Sequence, residues 1–283
     1  MALASDPHQD VFFAVCKQVS SEHLSLHFQK WALVEKLDLL ESCALSMGGY
    51  PAWQKKTYGM PSRAQVEEQF GSMFLTTKNL KLGAQVVASR RTGWNLYFGT
   101  GTAFTLVRSG ITGRTKLVFG GTNSGISEKQ WLTLPSALLQ AGVDIAETLG
   151  WNAIGYQTAA LLAQTIHHQL GDVELVGHSL GGGLAQMAGL ITGNKVTGFS
   201  SAPLGTLVLK EAMERQLLQP ELLSRFQHFV VDGDPVPDAL GMEKGTHVLG
   251  TRFQIPIHPS VVPAKHFASH GQVFTHLKKA LGL

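Results

Sequence analysis

The residues best placed to do chemistry lie in Val173-Glu-Leu-Val-Gly-His-Ser-Leu-Gly-Gly-Gly-Leu-Ala. It contains the pattern G-x-S-x-G as Gly177-His178-Ser179-Leu180-Gly181, with an apolar strand pattern before it and an apolar helix pattern after it. That context predicts a nucleophile elbow, a sharp turn that pushes the serine hydroxyl out of a sheet. Glycine at positions 177 and 181 leaves out the Cβ atoms that such a turn would crush. The helix starting after Ser179 aims backbone N–H groups at the same point, where they can hold an oxyanion. A phosphate loop is a poor reading, because no Gly-Lys-Ser/Thr follows the glycines. A dinucleotide fingerprint is equally poor, since no G-x-G-x-x-G stands there with a suitably spaced acid.

A serine hydroxyl is a weak nucleophile near neutral pH and needs an imidazole, which in turn needs an orienting carboxylate. In elbow folds the chain order is Ser, then Asp or Glu, then His. Downstream acids cluster in Val230-Val-Asp-Gly-Asp-Pro-Val-Pro-Asp, after a predicted strand over 226–231. Asp234 is favoured over Asp232 and Asp238, because Pro235 and Pro237 stiffen the loop around it. The histidines that follow are His247, His258, His266, His270 and His276. His266 and His270 stand just before a predicted final helix, a junction from which a base can reach over the sheet edge. Position alone leaves the choice open. Leu180 N–H is one expected oxyanion donor. The second is expected after the strand Leu117-Val-Phe-Gly-Gly-Thr-Asn, at Thr122. His167-His168 has no metal-ligand spacing and reads as helix surface.

These residues require a scaffold, and the pattern along the chain supplies one. Short apolar runs at 84–89, 94–98, 104–108 and 115–120 read as strands with turn residues between them. Helix and strand patterns then alternate: helix 154–170, strand 173–177, helix 180–191, strand 196–200, helix 207–218 and strand 226–231. Val273, Leu277 and Leu281 mark one face of a last helix. This alternation predicts an α/β fold, a mostly parallel sheet with helices on both faces. Residues 1–82 read as a helical N-terminal cap or flank, with 11–19, 33–45 and 65–75 as helices, and 83–283 as the catalytic domain.

The 283 residues are 44% hydrophobic and only 15% charged, which suits a large buried core and argues against disorder or nucleic-acid binding. A net charge of +3 names no partner. Cys16 and Cys43 cannot make a disulfide framework or a zinc site and read as buried thiols. The N-terminus lacks the basic and apolar regions of a cleaved secretory signal, so the chain is expected to be cytoplasmic as made. The uncharged runs 148–171 and 175–194 carry too many polar or glycine residues for a lipid-spanning helix.

Over roughly 115–276 the chain resembles the class 3 lipase family of α/β-hydrolases, most of all bacterial exported phospholipases A1. The likeness rests on Phe119-Gly-Gly-Thr-Asn and Gly177-His-Ser-Leu-Gly-Gly-Gly-Leu-Ala. It places the oxyanion Gly-Thr on Gly121 and Thr122, the nucleophile on Ser179, the acid on Asp234 and the base on His270. His266 is the reserve. Gly120 stands where the family often has Arg, and the apolar stretch 131–143 is a departure too. The resemblance implies a serine-dependent hydrolase of lipid acyl esters, a phospholipase A1 or lipase, working at a membrane surface without metal or organic cofactor. It also implies export by a specialised bacterial secretion system, with a neutralising partner protein if the chain is a toxic effector. The same triad would serve a soluble carboxylesterase, thioesterase or acyltransferase, and a non-catalytic binding module could retain the fold.

Overall fold

The computed structural model describes residues 17–48, 59–75, 90–92, 95–97, 103–121, 150–234, 236–239, 248–261 and 268–283. The expected strand at 84–89, the apolar stretch 131–143, Cys16, Thr122, His247 and His266 lie outside them, as does the side chain of Asp238.

Ten strands among the described residues form one sheet. In chain order they are β1 (Lys17–Val19), β2 (Met73–Phe74), β3 (Arg90–Thr92), β4 (Asn95–Tyr97), β5 (Ala103–Arg108), β6 (Thr115–Phe119), β7 (Glu174–His178), β8 (Val196–Phe199), β9 (Phe226–Val231) and β10 (Thr251–Ile255). Their spatial order is β1-β10-β9-β8-β7-β6-β5-β4-β3, with β2 beside β5. The run β1-β10-β9-β8-β7-β6 is parallel throughout, and every pairing that involves β2, β3, β4 or β5 is antiparallel. This is the expected α/β-hydrolase architecture: hairpins at one end lead into a parallel block built by strand–helix crossovers.

The strands of that block are apolar on both faces, as a doubly covered sheet demands. Leu117, Phe119 and Leu175 join one core with α4 (Gly150–Leu170) and α5 (Leu180–Thr192). Val118, Val176, Phe199 and Phe229 point the other way. They meet α1 (Ser21–Lys30), α2 (Leu33–Met47), α3 (Arg63–Phe70) and the last helix, α10 (Val273–Ala280). Between α5 and α10 the chain adds α6 (Thr206–Glu214), α7 (Pro220–Leu223), α8 (Val236–Ala239) and α9 (Ala268–Gly271). No helix of the described residues is long and apolar enough to cross a membrane.

The described residues before 76 form α1, α2 and α3 together with strands β1 and β2, and they share the core of the sheet; the helix expected at 65–75 runs Arg63–Phe70 and gives way to β2. The pattern predicts helix through 19, whereas Lys17–Val19 is an edge strand in register with Thr251–Phe253. A three-residue segment carries little propensity of its own, and pairing along β10 decides its state. Helix α2 is tied down by a buried ionic cluster. The Lys116 ammonium, fully buried on β6, donates to Asp38 Oδ1 at 2.8 Å, Glu41 Oε2 at 2.9 Å and Ser42 Oγ at 2.7 Å. Ser72, Ser109 and the Gly110 N–H donate to the same Glu41 carboxylate. A buried carboxylate needs such a full set of donors. Burial works to lower the Lys116 pKa, but Glu174, Asp38 and Glu41 outweigh it and raise it.

Candidate active site

Ser179 sits where β7 gives way to α5, with φ 58° and ψ −127°. That backbone conformation costs on the order of 1–3 kcal/mol for a non-glycine residue and persists only where the surroundings enforce it. Here they do. The Ser179 N–H donates to Phe199 O at 3.1 Å, and its carbonyl accepts from Gly182 N and Ala202 N, both at 2.9 Å. The glycines serve close approach. A Cβ on Gly177 would overlap the Gly181 and Gly182 backbone, and one on Gly181 would strike Phe119 O. The second overlap also shows that the end of β6 lies against the first turn of α5. Thus the buried Gly120 stands beside the elbow, with the buried Gly121 next in the chain. Leu180 N–H belongs to the first turn of α5, where helix geometry provides no intrahelical acceptor. The expected partner Thr122 falls just beyond the described residues.

Asp234 follows β9 on a turn closed by its own N–H to Val231 O at 3.0 Å. Its side chain is fully buried, and His270 Nδ1–H donates to Oδ2 at 3.0 Å. The other oxygen, Oδ1, accepts from Val236 N–H at 3.0 Å. Burial works to raise the carboxyl pKa. The charge of His270 and these hydrogen bonds outweigh it and hold the group below the ordinary aspartate value. An ionised carboxylate only accepts, so whenever the imidazole is neutral its proton is on Nδ1 and the lone pair is on Nε2. That is the tautomer a general base requires.

His270 is in α9, and a second contact ties it to the elbow. His178, the residue just before Ser179, places Nε2 2.9 Å from the carbonyl oxygen of His270. The two imidazole rings stand 4.4 Å apart, centroid to centroid. Burial pushes the His178 pKa down to about 3, helped by the nearby His270 charge, against the pull of the His270 carbonyl and Asp234. His178 is therefore neutral at ordinary pH, and its Nε2–H donates. The sequence named this residue only as the variable position of the motif.

A second support holds the elbow from behind. Gln186, buried in α5, donates to Ala202 O at 2.9 Å and accepts from Leu249 N–H at 2.8 Å. Ala202 N–H is the group bonded to the Ser179 carbonyl. The buried pair His228–Ser201, at 2.9 Å, lies in the same layer. Nothing in the local sequence signals these roles, since each depends on partners from other elements.

The remaining candidates are placed elsewhere. Asp232 is half-buried and gives its N–H to Ile255 O. His258 and His276 engage each other, with His258 N–H donating to His276 Nδ1 at 3.2 Å. His167 and His168 lie in the last turn of α4 at the surface, as expected.

A parallel sheet with a strained serine between strand and helix, next to a buried Asp–His pair, defines an α/β-hydrolase. The model of the phospholipase-like family described as the Tle-like phospholipase domain matches residues 106–265, more than half the chain. The chain belongs to that family. It is a carboxylic ester hydrolase of lipid esters, which sets aside a non-catalytic binding module. The match includes Ser179 and Asp234, and His270 lies just past its end. No curated protein is significantly similar in sequence. Among solved structures, the Rhizomucor miehei lipase propeptide complex is 13% identical with a TM-score of 0.45, covering 87% of this chain and 78% of that one. A triacylglycerol lipase whose catalytic centre is described as a serine protease triad is 15% identical with a TM-score of 0.43, covering 80% and 82%. MDLA from Penicillium cyclopium is 15% identical with a TM-score of 0.43, covering 83% and 85%.

Proposed function

We propose that the chain is a phospholipase A1 that works through an acyl-enzyme on Ser179, with His270 as base and Asp234 as its orienting carboxylate. One observation carries this reading. The buried Asp234 binds His270 Nδ1 at 3.0 Å, while the residue preceding Ser179 holds the His270 carbonyl at 2.9 Å. These two contacts support a reading in which base and nucleophile work at one spot.

In the first step His270 Nε2 takes the Ser179 proton as Oγ attacks the ester carbonyl. Leu180 N–H and Thr122 hold the resulting oxyanion, each donor contributing about 3 kcal/mol to the barrier reduction. His270 then gives its proton to the leaving lysophospholipid oxygen, and the acyl group remains on Ser179. Water, deprotonated by the same Nε2, attacks the acyl-enzyme and releases the fatty acid. Asp234 stabilises the imidazolium in both halves without taking its proton. Neither half requires a metal or an organic cofactor.

The substrate is presented at a membrane surface, to which the chain binds peripherally. Export through a specialised secretion system, with a neutralising partner protein, completes this reading. The test uses phospholipid vesicles whose sn-1 and sn-2 acyl chains differ. Wild type should release the sn-1 fatty acid, and Ser179→Ala should release less than about 1% as much, since losing a nucleophile costs orders of magnitude. Release of the sn-2 chain would refute the A1 assignment. A preference for monomeric soluble esters over vesicles would point to the carboxylesterase, thioesterase or acyltransferase reading.

A further inference from the structure

The triad explains what Asp234 does to the His270 ring, but it leaves the His270 main chain to be accounted for. His270 lies in a helix of only four residues, Ala268–Gly271. A single turn has little stability of its own, because nucleation is the costly step of helix formation. Its carbonyl must therefore be held by something outside the helix if the ring is to stay in place. His178 is 1% exposed, comes from the central strand, and puts Nε2 2.9 Å from that carbonyl. Its ring also stands against the His270 ring, at 4.4 Å and a tilt of 40°.

We propose that His178 is the positioning residue of this site: its Nε2–H clamps the His270 carbonyl and sets where the base stands relative to Ser179. This rests on the triad reading above. The arrangement has a chemical logic. The donor is on the residue bonded to the nucleophile, so one rigid strand end fixes both partners of the proton transfer. The clamp must also stay uncharged, because His270 becomes cationic in each half-reaction and a second imidazolium 4.4 Å away would oppose it. Burial keeps it so, holding the His178 pKa near about 3.

The test compares His178→Gln with His178→Met, side chains of similar length and volume that differ in having a donor. Initial rates are measured on a soluble p-nitrophenyl ester, alongside Ser179→Ala and His270→Ala, with thermal melts of all four. Misplacing a catalytic group by about 1 Å costs about 100-fold. His178→Met should therefore lower kcat about 10- to 100-fold with KM unchanged within about twofold. His178→Gln should keep kcat within about threefold of wild type, because its amide N–H can reach the same carbonyl. A merely structural role would lower the melting temperature of both variants and leave kcat per folded molecule unchanged. Equal kcat in the two variants, whether high or low, overturns the proposal. Should His178→Met not fold, His178→Gln decides alone: a wild-type kcat supports the clamp and a lost kcat refutes it. Full activity in Ser179→Ala or His270→Ala would instead remove the triad on which the clamp depends.

Discussion

Replacing Asp234 by Asn tests the electrostatics of the site with almost no change of shape. In the native site Oδ1 accepts from Val236 N–H and Oδ2 accepts from His270 Nδ1–H, each at 3.0 Å. The amide can satisfy Val236 only by keeping its oxygen there. Its NH2 must then face His270, and Nδ1 must become the acceptor. The imidazole proton moves to Nε2, the atom that has to take the Ser179 proton. The base is blocked while every heavy atom stays in place. An equivalent change in a serine protease triad lowers kcat about 10⁴-fold. At about 1.36 kcal/mol per tenfold, that is about 5.5 kcal/mol of barrier. The assay is the initial rate on a soluble ester at pH 8, with a melting curve to show that the variant folds. A folded Asp234→Asn enzyme keeping more than about one tenth of wild-type kcat would refute the tautomer argument.

Three further outcomes follow from the packing and the buried charges. Gly177→Ala places a Cβ into the backbone of Gly181 and Gly182. It should cost at least the 1–3 kcal/mol typical of overpacking and abolish activity, as read by urea unfolding and ester hydrolysis. Lys116→Met leaves the fully buried Glu41 carboxylate without its cation. It should destabilise by about 3–5 kcal/mol in urea unfolding, and adding Glu41→Gln should restore part of the loss. Acid should destabilise the fold through buried histidines. His178 and His228 are pushed down to about 3 from an unfolded value near 6.5, chiefly by burial. Between those values the unfolded chain binds the extra protons, so stability rises with pH and is lost as pH falls below 6.5. Each histidine contributes a slope of about 1.4 kcal/mol per pH unit. His276, also buried, is lowered in the same direction. Unfolding in urea from pH 7.5 to 5 should show this, and His228→Gln should remove its own contribution. The lowered carboxyl pKa values of Asp234 and Glu174 add a further loss at lower pH.

The parts of this site that are legible in the sequence are those written in neighbouring residues. Gly177, Ser179 and Gly181 fall within one turn, and the strand and helix patterns on either side announce the elbow. Asp234 is legible because acids, glycine and prolines gather at the end of β9. Choosing His270 among five histidines takes the family resemblance, since the Asp234–His270 bond spans 36 residues. What depends on distant partners stays hidden. The His178 clamp closes over 92 residues, and Lys116 meets Asp38 over 78. In sequence His178 is a variable motif position, and Lys116 is one charge among many that solvent could hold. Residues 17–19 carry no strand pattern and become a strand only because β10 offers an edge.

The account stands on Ser179 being the activated nucleophile, and a fluorophosphonate probe measures that directly. Intact mass and peptide mapping after labelling should show one adduct, on Ser179. The adduct should be missing in Ser179→Ala and form at least a hundredfold more slowly in His270→Ala. Stoichiometric labelling at another residue, or a folded wild-type protein that takes up no probe, would contradict it.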